Sequence, residues 1–256
     1  MPHLFGKIAG SVAFLTCLSL SFTAQAAIIT NGGFNADLEG WTVINQPGAN
    51  GNWFHTTGGR ARLGPRGGLS ILAPNEGTGY AHTAQTDPTS QVLFQDIVLE
   101  ADTTHFLSFD WYTQDWARSF FDAGTMDYNP VNPNQHFRVD LVSTDFDDWF
   151  GPDSSADILA NILAPVAEPA PVNSWNSLTF DLTPWSGESV RLAFRQVDNQ
   201  YFFNAGVDNV IISSDPNGGG NPSVPEPSAL FGLMALGLFG LYSRTTPSTM
   251  KPSSES

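Results

Sequence analysis

The chain has 256 residues, with 10 basic and 25 acidic side chains, a net charge of −15 and one cysteine. Its 19 phenylalanines, seven tryptophans and 24 glycines mark a globular composition, not a disordered one. So acidic a surface excludes nucleic acid as a partner, because that affinity rests on neutralising phosphates, and it repels anionic membrane surfaces.

The amino terminus has the three parts of a secretory signal peptide: His3 and Lys7, an apolar stretch over residues 8–22, and the small-x-small site Ala24-Gln25-Ala26. Cleavage is expected after Ala26, so the signal peptide spans residues 1–26. Cys17 lies inside the apolar stretch, with Thr16 before it and Phe14 three residues earlier, which does not suit a lipid-modified cysteine. The mature chain then has no thiol and can form no disulfide. Residues 27–214 follow as one domain, long enough for a single well-buried β core. Lys7, Arg244 and Lys251 lie outside it, so every basic residue of the domain is an arginine, whereas only Glu226 and Glu255 of the acidic residues lie beyond the linker.

The domain opens with Asn31-Gly32-Gly33-Phe34 and Leu38-Glu39-Gly40-Trp41. Phe34 and Trp41 are placed to plug one end of a sandwich, and the paired glycines permit a bend. Residues 46–68 read as loops around short strands, with Trp53 exposed among them, and a short strand is expected around Tyr80. From there period-2 alternation is clear. Val92, Phe94 and Val98 share one parity and Leu93, Ile97 and Leu99 the other, which describes a strand buried on both faces or crossed by a bulge. Leu107, Phe109 and Trp111 alternate with polar residues, as do Phe137, Val139 and Leu141, then Leu178, Phe180 and Leu182, then Val190, Leu192 and Phe194. Strand after strand with loops between predicts an all-β antiparallel sandwich. Two long insertions interrupt it, residues 112–135 and 144–173, and long loops in compact domains are often functional. In the second, residues 153–155 are expected to cap a short helix over residues 156–163 that Pro165 ends.

The opening motif and the closing Val207-Asp208-Asn209-Val210-Ile211 resemble the first and last strands of galactose-binding-like jelly rolls, the fold of many carbohydrate-binding modules. The resemblance implies a jelly roll. It also implies a structural calcium held by a carboxylate after the first phenylalanine and another on the last strand. Here those positions are Asn35, an uncharged amide, and Asp208. Sugar binding in such a domain would use exposed rings, for which the loop aromatics Trp53, Trp116, Tyr128 and Trp149 are the candidates.

Residues 215–223 form a Gly/Pro-rich tether. Val224, Pro225, Glu226 and Pro227 then precede an apolar run over residues 229–242 and Arg244. As a helix, the run rises only about 21 Å, short of the ~20 residues a full span usually needs; the basic residue after it fits the positive-inside rule. This order resembles the PEP-CTERM sorting signal, spanning residues 224–244, with a polar tail over 245–256 where the family has a basic cluster and then stops. The resemblance implies a Gram-negative host and export. A hydrophobic sorting helix would rest transiently in the inner membrane, an exosortase would cut near the Pro-Glu-Pro, and the domain would go to the cell surface or an exopolysaccharide and biofilm matrix.

Catalytic signals are weak by comparison. His55, His82, His105 and His136 are scattered without ligand spacing for zinc. The glycine runs are not followed by the helix and Lys-Ser/Thr of a phosphate loop. Among so many acids some pair always suits a glycosidase, so the pairing carries little information. The expectation is a non-catalytic, glycan-associated surface or matrix protein. The alternatives are a structural component that binds itself or other proteins and, more weakly, a glycoside-active enzyme.

Overall fold

A computed structural model describes residues 28–64, 69–117, 119–129, 132–152, 156–165 and 174–216. The signal peptide, the sorting motif with its apolar helix, and the capping residues 153–155 lie outside the described residues. The chain divides into two units, 1–218 and 219–256, and every described residue belongs to the first.

The described residues of this unit form twelve strands: β1 (Thr42–Asn45), β2 (Gly51–Thr56), β3 (Gly59–Arg60), β4 (Ser70–Ile71), β5 (Tyr80–Gln85), β6 (Thr89–Val98), β7 (Phe106–Asp115), β8 (Gln135–Ser143), β9 (Ile158–Leu163), β10 (Asn176–Asp181), β11 (Ser189–Asp198) and β12 (Phe203–Ser213). One five-stranded sheet has the order β1-β6-β11-β8-β9 and the other β10-β7-β12-β5-β2, with β3 and β4 forming a small ribbon of their own. Every pairing is antiparallel. Strands β5 to β8, and again β10 to β12, cross from sheet to sheet, so the chain winds as a jelly roll.

Alternation explains the core. Residues directly opposite each other in a ladder point to the same face. Phe194 stands between Leu93 and Val139, and Val207 between Trp111 and Ala81. These rows face inward and, except for Trp111, are fully buried, with Phe109 meeting Phe194 edge-on at 5.4 Å. Phe34 and Trp41 close one end as expected, their rings 5.3 Å apart, with Trp41 against Phe194. Gly32 is required there: a Cβ would run into the carbonyl oxygen of Val210, whose N–H donates to the Gly32 carbonyl at 2.9 Å.

The mixed parity of β6 has a direct cause. Leu93 and Ile97 point into the sandwich, while Val92 and Phe94 point out, beneath a second small core of Val142, Phe146, Trp149 and Ala193. The loop over residues 144–152 roofs that face. The opposite broad face is roofed by Ala61, Leu63, Leu69, Ile71, Leu72 and Trp175, which cover Tyr80, Ala84 and Tyr112.

The expected helix over residues 156–163 is corrected: residues 158–163 form β9, the edge of the first sheet, paired with β8 through two irregularities. Its Ile-Leu-Ala-Asn-Ile-Leu run is too short for period alone to separate helix from strand. The unpaired edge of β8 decides it, because a strand there satisfies backbone groups that a helix would leave open.

Candidate functional site

Four connections meet at one end of the sandwich through residues 46–50, 86–88, the described parts of the long insertion (116–117, 119–129 and 132–134) and 199–202. The β11–β12 connection carries Tyr201, the one aromatic among the exposed large hydrophobic residues of the described part of the chain, 60% accessible. Beside it lies a pocket of about 210 Å³ lined by residues 86–88 and 199–202, so its polar walls come from Thr86, Asp87, Asn199 and Gln200 and its apolar walls from Pro88, Tyr201 and Phe202.

The loop bearing Tyr201 is held from beneath by a chain of buried amides. Gln91 Nε2 donates to Gln196 Oε1 at 2.9 Å, Gln196 Nε2 donates to Gln85 Oε1 at 2.9 Å, and Gln85 Nε2 donates to the Asp198 carboxylate. Gln85 Nε2 also reaches the Tyr201 carbonyl at 3.3 Å, and Asp198 Oδ1 accepts the Gln200 N–H at 2.9 Å. All four side chains lie on inward-facing positions at the polar end of the core, and all are buried. Burial pushes the Asp198 carboxyl up to about 7, against the lowering by its donors, and the nearby charge of Asp115 adds to the rise. Asp115 itself accepts from Gln135 Nε2 at 2.6 Å and the Ser119 N–H at 2.9 Å.

The long insertion is fastened to the same end. Asn199 Nδ2 donates to the Tyr128 carbonyl at 3.1 Å, the Asn134 N–H donates to Asn199 Oδ1 at 2.8 Å, and the Trp116 N–H donates to the Phe202 carbonyl at 3.0 Å. Tyr128 Oη donates to the Pro47 carbonyl at 3.0 Å, and Gln46 Nε2 to Asp127 at 2.5 Å. Burial pushes the Asp127 carboxyl up, but donation by Gln46 Nε2 and by the N–H and Nδ2 of Asn129 outweighs it and holds the group below the usual range.

Of the four rings expected to be exposed, the structure brings Trp116 and Tyr128 to this end, both half-buried. It corrects the other two. Trp53 is 2% accessible because it lies on the inner face of β2, opposite Thr83, with Phe137 at 6.4 Å. Trp149 is 5% accessible and stacks on Phe94 at 4.9 Å, sealing the outer face of the first sheet. Tyr201 was not anticipated. The available signal was an aromatic pair, Tyr201-Phe202, following Asn-Gln between two strongly alternating strands.

The expected calcium ligands meet one loop from two sides. Asn35 Oδ1 accepts the Thr78 N–H at 2.8 Å. Asp208 Oδ2 accepts the Asn75 and Glu76 N–H groups at 3.0 and 3.1 Å, and its Oδ1 the Asn209 N–H at 2.8 Å. A cation needs oxygen lone pairs aimed at it, whereas these face N–H donors. The residues therefore do not fit calcium as placed; they anchor the turn over residues 75–78. Among the described residues no group of three or more His, Cys, Asp or Glu side chains could hold a metal. Asp208 pairs across the ladder with Asp110, and burial followed by that neighbouring charge moves its carboxyl up to about 6. Asp110 is occupied by Asn75 Nδ2 at 2.8 Å and by the Ser177 hydroxyl. His82, also on this roofed face, is pushed down to about 3 by burial.

The described residues thus define an antiparallel β-sandwich domain, roofed on both broad faces, with an amide-lined aromatic pocket at one end. Beyond it, residues 223–244 match the PEP-CTERM protein-sorting motif, so the domain belongs to a chain bearing a signal for exosortase-dependent export to the surface. No curated protein matches the chain in sequence. Among solved structures the chain is similar to the K3 cleaved adhesin domain of Lys-gingipain from Porphyromonas gingivalis W83, at 18% identity over 73% of this chain and 98% of that one, with a TM-score of 0.47. It is also similar to TmCBM61 in complex with β-1,4-galactotriose, at 10% identity over 73% and 97%, with a TM-score of 0.44. A third similar structure is the CBM22-1 xylan-binding domain of Paenibacillus barcinonensis Xyn10C, at 11% identity over 74% and 96%, with a TM-score of 0.40.

Proposed function

We propose that this is a non-catalytic surface or matrix protein, delivered by an exosortase, whose domain associates with glycan at the Tyr201 end. The observation that carries the reading is the pocket itself: an exposed tyrosine ring beside amide and hydroxyl groups, on a loop held by a buried hydrogen-bond chain. A flat ring offers apolar contact to the C–H face of a sugar, and the amides and Asp87 offer partners to its hydroxyls. The pocket is small, which suits one or two residues of a polymer better than a long chain laid along a sheet face. The acidic surface favours an uncharged or amine-bearing saccharide.

Affinity electrophoresis of the purified protein through gels containing neutral or amino-sugar polysaccharides tests this. Retardation by at least one such polymer is expected, and Tyr201→Ala should reduce it about 10-fold, the range of a contact hot spot. Retardation unchanged in Tyr201→Ala, or absent from every gel, would move the assignment to a structural component that binds other proteins.

A further inference from the structure

β12 ends at Ser213, and the chain leaves the sandwich through Ser214, Asp215 and Pro216, all exposed. Asp215–Pro216 is one of two Asp–Pro bonds in the sequence; the other is Asp87–Pro88. The bond is inherently labile in acid. The aspartate carboxyl can close a five-membered ring on its own main-chain carbonyl. The tertiary amide nitrogen of proline accepts a proton more readily than an ordinary peptide nitrogen and so leaves more readily.

The two sites differ at the reacting atom. Ser213 Oγ donates to the Asp215 carbonyl oxygen at 2.6 Å. That oxygen gains negative charge when the carboxyl attacks, so a donor already aimed at it favours the charged intermediate over the ground state. Among the described residues no side chain donates to the Asp87 carbonyl.

We propose that Asp215–Pro216 is an acid-triggered self-cleavage site that frees the sandwich domain upstream of the sorting motif. The Asp215 carboxyl oxygen adds to the Asp215 main-chain carbon, and the C–N bond to Pro216 breaks. The carboxyl proton passes to the proline nitrogen. Water then opens the cyclic anhydride, leaving Asp215 as a free C-terminal aspartate and Pro216 as a new N-terminus. Nothing is oxidised or reduced, and water is the only co-reactant. The inference is independent of the glycan reading and of exosortase action, whose product would end near residue 225 and so differ in mass.

The test is intact-mass analysis of the full chain, held in detergent at about pH 4 and at about pH 7, with both Asp–Pro bonds followed in the same sample. Cleavage after Asp215 should outpace cleavage after Asp87 by about five-fold, the worth of one ordinary hydrogen bond expressed as a rate. Ser213→Ala should remove that advantage, Asp215→Glu should slow cleavage by enlarging the ring, and concentrated urea should equalise the two sites. Equal rates in the folded protein, no cleavage at residue 215, or a Ser213→Ala protein cut as fast as the parent would each overturn the proposal.

Discussion

Asp140 is the residue whose charge the fold can least spare. It lies on the outward face of β8 and is fully buried beneath the roof over residues 144–152. Arg195 Nη1 donates to it at 2.8 Å, Arg138 Nη2 at 2.9 Å and Asn161 Nδ2 at 2.7 Å. Arg195 is equally buried; its other arm donates to the Trp149 carbonyl at 2.7 Å, and its guanidinium lies 5.5 Å from the Phe146 ring centroid. Asp140→Asn keeps the shape but removes the negative charge between two buried guanidinium groups, and breaking a buried pair in this way costs about 3–5 kcal/mol. For a domain of this size about 1 kcal/mol moves Tm by roughly 2–4 °C, so a fall of about 6–20 °C is expected. Urea denaturation gives the free energy directly. Replacing the whole cluster, as Arg138→Met/Asp140→Leu/Arg195→Met, should restore much of the loss, since no charge is then left without its partner. A loss below about 1 kcal/mol in Asp140→Asn would refute the reasoning.

Three further outcomes are expected. Because burial raises the Asp198 carboxyl to about 7, its contribution to stability is fully present below the unfolded value of about 3.9 and is lost as pH rises through 7. Asp198→Asn should therefore gain on the parent protein by a few kcal/mol, on the order of the shift, between about pH 4 and 8, read as the difference in urea midpoints. Trp149→Ala should lose about 3 kcal/mol or more through the cavity over Phe94, while leaving polysaccharide retardation unchanged because Tyr201 is on another surface. Chelators should not shift the urea midpoint, because Asn35 and Asp208 already accept N–H donors; a calcium-dependent rise would count against that assignment.

The sandwich was legible wherever one face of a strand is buried and the other is not. Phe137-x-Val139-x-Leu141 and Val190-x-Leu192-x-Phe194 declare their faces by alternation alone, and both rows lie in the core. Gly32 and Gly33 likewise announced the bend that Phe34 and Trp41 plug, beside which Asn31 takes a positive φ. What could not be read depended on partners distant in sequence. Trp149 looked like a loop ring, and only the outward Phe94, 55 positions earlier in the chain, turns it into a roof. Trp53 looked exposed because glycines surround it, yet its parity on β2 sends it inward. The β9 segment looked helical because nothing local marks the open edge of β8. The turn-anchoring roles of Asn35 and Asp208 were hidden for the same reason: their donors, the N–H groups of residues 75–78, belong to a loop far from both.

The strand that closes the sandwich also sets its mechanics. β12 begins at Phe203, immediately after the Tyr201 pocket, and ends at Ser213, where the chain departs. Eleven extended residues cover roughly 30 Å, so the pocket and the exit lie at opposite poles of the domain. Tension between a polymer held at Tyr201 and a chain held beyond Ser213 would run lengthwise along β12. That strand is flanked by β7 and β5, so the pull would shear many backbone hydrogen bonds together instead of peeling them one at a time, the orientation in which a sheet resists force best.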